Sequence, residues 1–345
     1  MITRRQLFHQ AAIASAYLGF PGIGSFQKII SPALQSETRY LYPIRVRGKD
    51  GFIDRGGAVV IPPTFDEASP FQEGFARVKN NGRFGYIDMD GSMVVPPIYE
   101  RAGHFQCGLA CVKSTGKCGY INHAGQTITP LIFDEGYAFN ENMAAVVIDG
   151  HCGFIDSEGR MAIPPKFKVG QKLMTHGFGD GLASICVDGL YGYINRSGEV
   201  VIQSFATEAS LFSHGVASVR RGKECYFIGR DGKRSFGDLC FQSADISFHE
   251  GLAAVEEKGS GKWGFINRQG NWIIPAQFED ANGFSDGLAA VEVKGGLSGF
   301  INNLGEMVIP PTWRLAGYCN NGLADVSNGL EWDYINVAGQ YVWRS

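Results

Sequence analysis

Charge of one sign is what this chain most plainly lacks. Its 31 basic and 34 acidic side chains leave a net charge of −3 over 345 residues. No global field therefore marks a binder of nucleic acid or of an anionic membrane surface. A membrane-spanning apolar run is missing at the N-terminus, where Ala11 to Phe20 would make a helix of about 15 Å, half of a bilayer core. The eight cysteines contain no Cys-x-x-Cys, and the seven histidines no His-x-x-x-His, so zinc motifs have no support. A hydrolase reading finds no nucleophile elbow. The glycines follow a long period instead of a phosphate loop or dinucleotide fingerprint. No catalytic, cofactor-binding or metal-binding residue is assigned, no cofactor is expected, and an enzyme is not expected.

What is abundant is glycine: 47 of 345 residues, about twice the usual share. With 44% apolar and 12% aromatic residues, disorder is excluded. Residues 1–36 read as a signal peptide. Arg4 and Arg5 precede a stretch from Gln6 to Gln27 without Asp, Glu, Lys or Arg, and Pro21-Gly22 close the apolar run. Thr3-Arg4-Arg5-Gln6-Leu7-Phe8 is similar to the twin-arginine export signal, with Leu and Phe in swapped order. An ordinary secretory signal or a buried helix is the alternative. Export to an extracytoplasmic space is expected, with a cytoplasmic chain as the alternative.

Residues 40–345 repeat. Gly-(Phe/Tyr)-Ile-(Asp/Asn) begins at Gly51, Gly85, Gly119, Gly153, Gly192, Gly264 and Gly299, with degenerate copies at Tyr226 and Asp333. The spacings are 34, 34, 34, 39, 34, 38, 35 and 34, which gives nine units. Each unit reads as three short strands. In the second, Gly74 to Val78 is followed by an Asn81-Gly82 type I′ turn, then Phe84 to Asp88, then an Asx turn closed by Gly91. The third strand, Met93 to Val95, is expected to end at Pro96-Pro97. Recurring aromatics (Phe65, Tyr99, Phe133 and their equivalents; Phe71, Phe105, Phe139 and theirs) are expected to plug the seams between units.

The string Gly261 to Pro275 (GKWGFINRQGNWIIP), followed by Phe278-Glu-Asp-Ala and Phe284 to Val291, resembles the bacterial WG, or KWG, repeat. The resemblance covers all nine units, although the Trp-Gly pair itself survives only at Trp263-Gly264. It implies a β-rich repeat protein and no catalytic residues. The fold class expected is all-β: a tandem array of about nine three-stranded antiparallel β-meanders. No strand is left over for a closing latch, so an open or superhelical array is favoured, with a propeller-like ring as the alternative.

Cys107, Cys111, Cys118, Cys152, Cys186, Cys225, Cys240 and Cys319 are expected to be mostly free thiols. A Thr115-Gly116 hairpin leaves Cys111 only diagonal to Cys118, the one cross-strand bond considered. Asp54, Asp88, Asn122, Asp156, Asn195, Asn267, Asn302 and Asn336 are assigned to turn capping rather than calcium, because Asn serves as well as Asp. His104, His214 and His249 lie near first strands. The longer fourth unit (Lys168 to Gly179, with His176) and the sixth unit's Phe236 to Cys240 mark irregularities where binding loops could sit. The function expected is an exported, non-enzymatic monomeric scaffold for a protein or polysaccharide partner. A lectin-like or small-ligand binder is the alternative. An envelope hydrolase is least favoured, since it would need Asp66, Glu67, Glu279 and Asp280 to converge.

Overall fold

The computed structural model describes residues 39–169, 177–244, 248–329 and 331–345, so the signal expected at residues 1–36, and His176, lie outside the described residues. Strands run from Tyr42–Val46 to Tyr341–Trp343 in small antiparallel sheets, and the all-β tandem array stands. In the second unit Phe75–Asn80 pairs with Arg83–Asp88 from Phe75↔Asp88 to Asn80↔Arg83. Both residues of the intervening Asn81-Gly82 turn have positive φ, as a type I′ turn requires.

Two features correct the three-strand expectation. The first is an extra strand. Glu67–Ala68 pairs with Lys79 and Val78, and a Gln72↔Phe75 bridge then closes a second tight turn at Glu73-Gly74, again with both φ positive. The same turn recurs at Cys107-Gly108, Asp180-Gly181, His214-Gly215 and Asp286-Gly287, so most units hold four strands.

The second concerns the proline pair, which does not end the third strand. Met93–Tyr99 continues through Pro96-Pro97 as a bulge between Tyr86↔Val95 and Phe84↔Tyr99. A bulge is where missing N–H donors cost no ladder bond. There the third strand crosses directly over the marker glycine. A Cβ on Gly85 would lie 2.7 Å from the Pro97 nitrogen, and one on Gly51 2.5 Å from both the Ile61 carbonyl oxygen and the Pro63 nitrogen. The glycine of the repeat marker therefore answers to a backbone crossing rather than to φ.

No unit buries its apolar face alone. Among the described residues the buried side chains fall into nine clusters, one at each seam between neighbouring units. Phe52 and Ile61 of the first unit, for example, pack with Ala76, Val78 and Ile87 of the second. The marker aromatic of one unit meets the plug aromatic of the next: Phe52–Phe71 at 4.7 Å, Tyr86–Phe105 at 4.6 Å, Tyr193–Phe212 at 4.7 Å and Phe265–Phe284 at 4.8 Å between ring centres. The aromatic stripe is core, as the sequence indicated.

The ninth cluster joins the last unit to the first. Leu323, Tyr334, Val342 and Trp343 pack on Tyr42, Ile44, Val46 and Ile53. The Tyr42 hydroxyl donates to the Asn321 carbonyl at 2.7 Å, and the Tyr334 hydroxyl to the Pro43 carbonyl at 2.9 Å. Turn glycines repeat the pattern: Gly91 faces Ile61 of the preceding unit, Gly125 faces Val95, and Gly57 of the first unit faces Val342 of the last. These contacts correct the open array that the sequence favoured and select its alternative, the propeller-like ring. No latch strand is needed because side-chain packing of the ordinary seam type closes it.

The sixth unit departs from its neighbours. Phe241–Ala244 pairs with Cys225 on one side and with Glu257 to Val255 on the other, which fuses units six and seven into one seven-stranded sheet. In place of the proline bulge, Phe236 takes positive φ and packs on Phe227 and Phe248.

Candidate functional site

The hairpin connections and corners of successive units gather charge at the seams. At the corner between units one and two, Asp66 accepts the Asn81 N–H at 2.8 Å and pairs with Lys49 of the first unit at 2.6 Å. The Lys49 hydrogen bond, helped by that N–H, holds the Asp66 carboxyl below its ordinary range. Glu100 and Asp134 repeat the arrangement. Glu100 accepts the Thr115 N–H and faces Arg83; Asp134 accepts the Asp149 N–H at 2.8 Å and pairs with Lys117 at 2.6 Å. Glu67 pairs with Lys79 and Glu279 with Lys262, each at 2.6 Å. The four carboxylates that a hydrolase would have needed are thus divided between two different seams. Asp66 and Glu67 serve the first, Glu279 and Asp280 the one between units seven and eight.

The tight turns that close the extra strand carry a second set of acids. Gly108, Gly181, Gly215 and Gly322 donate their N–H groups to Glu73, Glu141, Asp180 and Asp286 of the preceding unit at 2.9, 3.0, 2.6 and 2.7 Å. His123 adds an Nε2 contact to Glu73 at 3.1 Å and stacks on Phe75 at 4.6 Å; Arg196 pairs with Glu141 at 2.9 Å. Sequence reasoning missed this set, because Glu, Cys, Asp and His alternate at the position and no fixed letter marks it.

The eight capping residues do what the sequence assigned them. Asp54 Oδ1 accepts the N–H groups of Gly56 and Ala58 at 2.9 Å each; Asn302 Oδ1 accepts those of Leu304 and Glu306 at 3.0 Å each. These oxygens face backbone donors. Among the described residues no group of three or more His, Cys, Asp or Glu side chains is placed to hold a metal ion.

Of the three histidines near the first strands, His214 and His249 lie close enough for one to feel the other's charge. Burial, with the Arg77 charge beside it, pushes His104 down to about 4. Burial also lowers His214, which bonds Ser213 Oγ at 2.9 Å, and His249 lies 6.4 Å from the Tyr318 ring.

All eight cysteines are free. Cys118, Cys152 and Cys225 are buried in the slot that the repeat's Trp would fill. Asp50 fills that slot in the first unit. There it accepts the Ala68 N–H at 2.8 Å, pairs with Arg45 at 3.0 Å, and is raised by burial. In the sixth unit Glu224 joins Arg234 at 2.7 Å and Lys258 at 3.4 Å beside Cys240.

Two short strings, which the sequence reading passed over in finding no such pattern, match catalytic motifs in letters only. Gly283 to Gly287 spells Gly-x-Ser-x-Gly, but Ser285 pairs with Leu288 around the Asp286-Gly287 turn instead of opening a helix. Gly259 to Gly264 spells Gly-x-Gly-x-x-Gly and leads into the strand Trp263–Asn267. No helix among the described residues is long and apolar enough to cross a membrane.

Comparison with known proteins agrees with this geometry. The family model of the WG containing repeat matches residues 51–84, 84–118, 119–152, 153–191, 191–225, 263–296 and 299–332, most of the chain. No curated protein matches at the sequence level. Among solved structures, a eukaryotic initiation factor is similar in fold, with TM-score 0.61 and 12% identity over 89% of this chain and 95% of that one. Further likenesses are the dihydro-heme d1 dehydrogenase NirN (0.48, 11%, 81% of this chain and 75% of that one) and BamB from Moraxella catarrhalis (0.43, 13%, 73% and 91%).

Proposed function

The chain belongs to the WG containing repeat family, and from that premise we propose that it is an exported, non-enzymatic ring scaffold that holds a protein partner. The observation that carries this reading is the distribution of exposed apolar side chains. Many of them lie on the third strands of units two, three, five and eight, at Met93, Ile98, Ile132, Val200, Val201 and Val308, with Ile98 57% exposed. Exposed apolar side chains recurring on the third strands of successive units offer surface that a protein partner could cover. The corner carboxylates Asp66, Glu100 and Asp134, by contrast, are spent on neighbours, each capping a hairpin N–H and facing a cation of its own seam. A scaffold role uses the first and asks nothing of the second. Export follows from the Arg4-Arg5 signal pattern.

The test pairs the full chain with envelope fractions and then with each captured protein in purified form. Ile98→Lys with Ile132→Lys is expected to weaken the purified complex at least tenfold while leaving the melting temperature in place. Unchanged affinity would sink the assignment of the binding surface. Saturable binding on a glycan array would move the partner to polysaccharide. Recovery of the full-length, unprocessed chain from the cytoplasm would overturn export.

A further inference from the structure

One residue of each unit faces the marker aromatic across the hairpin ladder, and in most units it is small and uncharged. Cys111, Ala145, Ser184, Ser218, Ala254 and Ala290 fill the place. The second unit alone puts a cation there, Arg77 opposite Tyr86. Arg77 reaches across the seam into the third unit, where Nη1 donates to the Ala102 carbonyl at 2.8 Å, and its guanidinium lies 5.2 Å from the Phe84 ring centre. The Tyr86 hydroxyl donates to the next carbonyl, Gly103, at 2.7 Å, and His104 follows directly. His104 stands immediately before the plug aromatic Phe105. Pro70, Ala138, Gly177, Leu211 and Gly283 hold that place elsewhere, so this seam departs from its neighbours by two basic side chains at once.

Neither base has an acid. Glu67 is the carboxylate whose charge Arg77 feels, and Lys79 holds it at 2.6 Å. A guanidinium has five N–H donors. Among the described residues the Ala102 carbonyl is its one hydrogen-bond partner, and the His104 ring nitrogens bond none. Both side chains are half-buried, and burial lowers both, as it does where no neighbour compensates a charge. A third polar group belongs to the same seam. The residue after one plug aromatic lies against the residue before the next, as at Asn140, whose Cβ would stand 3.1 Å from a Cβ on Gly177. Between units two and three these positions are Gln72 and His104, and Gln72 Oε1 is buried without a hydrogen-bond partner.

We propose that the seam between units two and three binds a phosphate group, held by the Arg77 guanidinium and the His104 imidazole and donating its P–OH to Gln72 Oε1. An unpaired guanidinium takes phosphate oxygens two at a time. A carboxylate offers the same charge but no donor, whereas hydrogen phosphate brings an O–H to the acceptor that Gln72 leaves open. The bound anion favours the imidazolium form of His104, which burial and Arg77 suppress in the free chain. The partly desolvated setting strengthens each of these bonds relative to water. The site lies apart from the exposed third-strand surface, so it stands or falls independently of the scaffold reading.

The test titrates inorganic phosphate into the full chain, isotope-labelled at its histidine nitrogens, near neutral pH and at ionic strength held constant with chloride. The His104 ring resonances, identified by their loss in His104→Gln, are expected to move saturably toward the imidazolium position. Acetate at the same concentrations should leave them in place. Arg77→Lys keeps a charge without the fork and should weaken binding roughly tenfold, while Arg77→Met should abolish the shift. The resonances of His214 and His249 report whether each variant is folded. Glycerol phosphate separates the two sources of the group: tighter binding than inorganic phosphate assigns an ester, weaker binding the free ion. The absence of a saturable shift in the unaltered chain overturns the proposal. So does an equal response to acetate, or an Arg77→Lys variant that binds phosphate as tightly as the unaltered chain.

Discussion

Gly85 and Gly82 stand three residues apart and meet opposite constraints. Gly85 has no left-handed φ, yet a Cβ on it meets the crossing backbone at Val95 and Pro97, which cannot give way as a side chain could. Gly82 has φ +76 with nothing within 4 Å. Gly85→Ala should therefore lower the melting temperature more than Gly82→Ala, whose cost is the roughly 1–2 kcal/mol of an L-residue held left-handed. Gly91→Val adds a tight side-chain contact, Ile61 Cγ1 at 3.3 Å, to a left-handed φ of +82, and should damage the fold rather than stiffen it. Equal melting temperatures for Gly85→Ala and Gly82→Ala would refute the crossing argument.

Asp325 and His104 supply opposed pH dependences. Burial pushes Asp325, beside Tyr334 and Gly317, up to about 6. Its native value lies above the unfolded one, near 3.9, so its contribution is fully present below about pH 4 and is lost as pH rises through 6. His104 lies at about 4 in the native state against about 6.5 unfolded. Its contribution is present above pH 6.5 and lost as pH falls through 4. The two slopes oppose each other at about 1.4 kcal/mol per pH unit over the same window. Asp325→Asn should uncover stability that rises from pH 4 to 6.5, and His104→Gln stability that falls. Parallel curves for both variants and the unaltered chain would show that neither group titrates as described.

At the scale of the element, the turn between the second and third strands was legible and the turn before the first strand was not. The former needs an Asx oxygen and a left-handed glycine at fixed places, so Asp54, Asn122 and Asn336 announce it. The latter begins at Glu73, Cys107 or His214, and its extra strand is two residues long, held by main-chain bonds that leave no side-chain pattern. The proline pair misled for a related reason: a residue without an N–H reads as a stop, but inside a bulge it is compatible with a continuing strand. Capping makes a clean prediction. Asp88→Asn should leave the melting temperature unchanged, because Oδ1 still accepts from Asp90 and Ser92. Asp88→Ala should cost about 1–2 kcal/mol, and a calcium chelator should shift neither protein.

At the scale of the whole molecule, the period gave the number of units but not their closure. Closure depends on Tyr42 meeting Asn321 and Tyr334 meeting Pro43, contacts between residues nearly three hundred positions apart. Candidate site residues were legible as types and not as partners, for the same reason: nothing near Asp66 in the sequence says that Lys49 and Asn81 will claim its two oxygens. The closing seam also carries a buried Trp343 Nε1 without a hydrogen-bond partner. Leu323→Ala there should cost about 2–5 kcal/mol by cavity formation. It should speed hydrogen exchange in 42–46 and 333–343 ahead of the other strands. Uniform acceleration around the array would mean that the seams do not open independently.

Because the first and last units meet without sharing a strand, the position of the chain ends is interchangeable in principle. A circular permutant that joins Ser345 to Arg39 by a flexible linker and opens at the Asp66 corner would start and stop at a seam much like the native one. A permutant cut within Phe241–Ala244 would sever a strand that two units share. The first should refold into the same ring and the second should not. The ring thus has no intrinsic beginning, but it has one place where it cannot be made to begin.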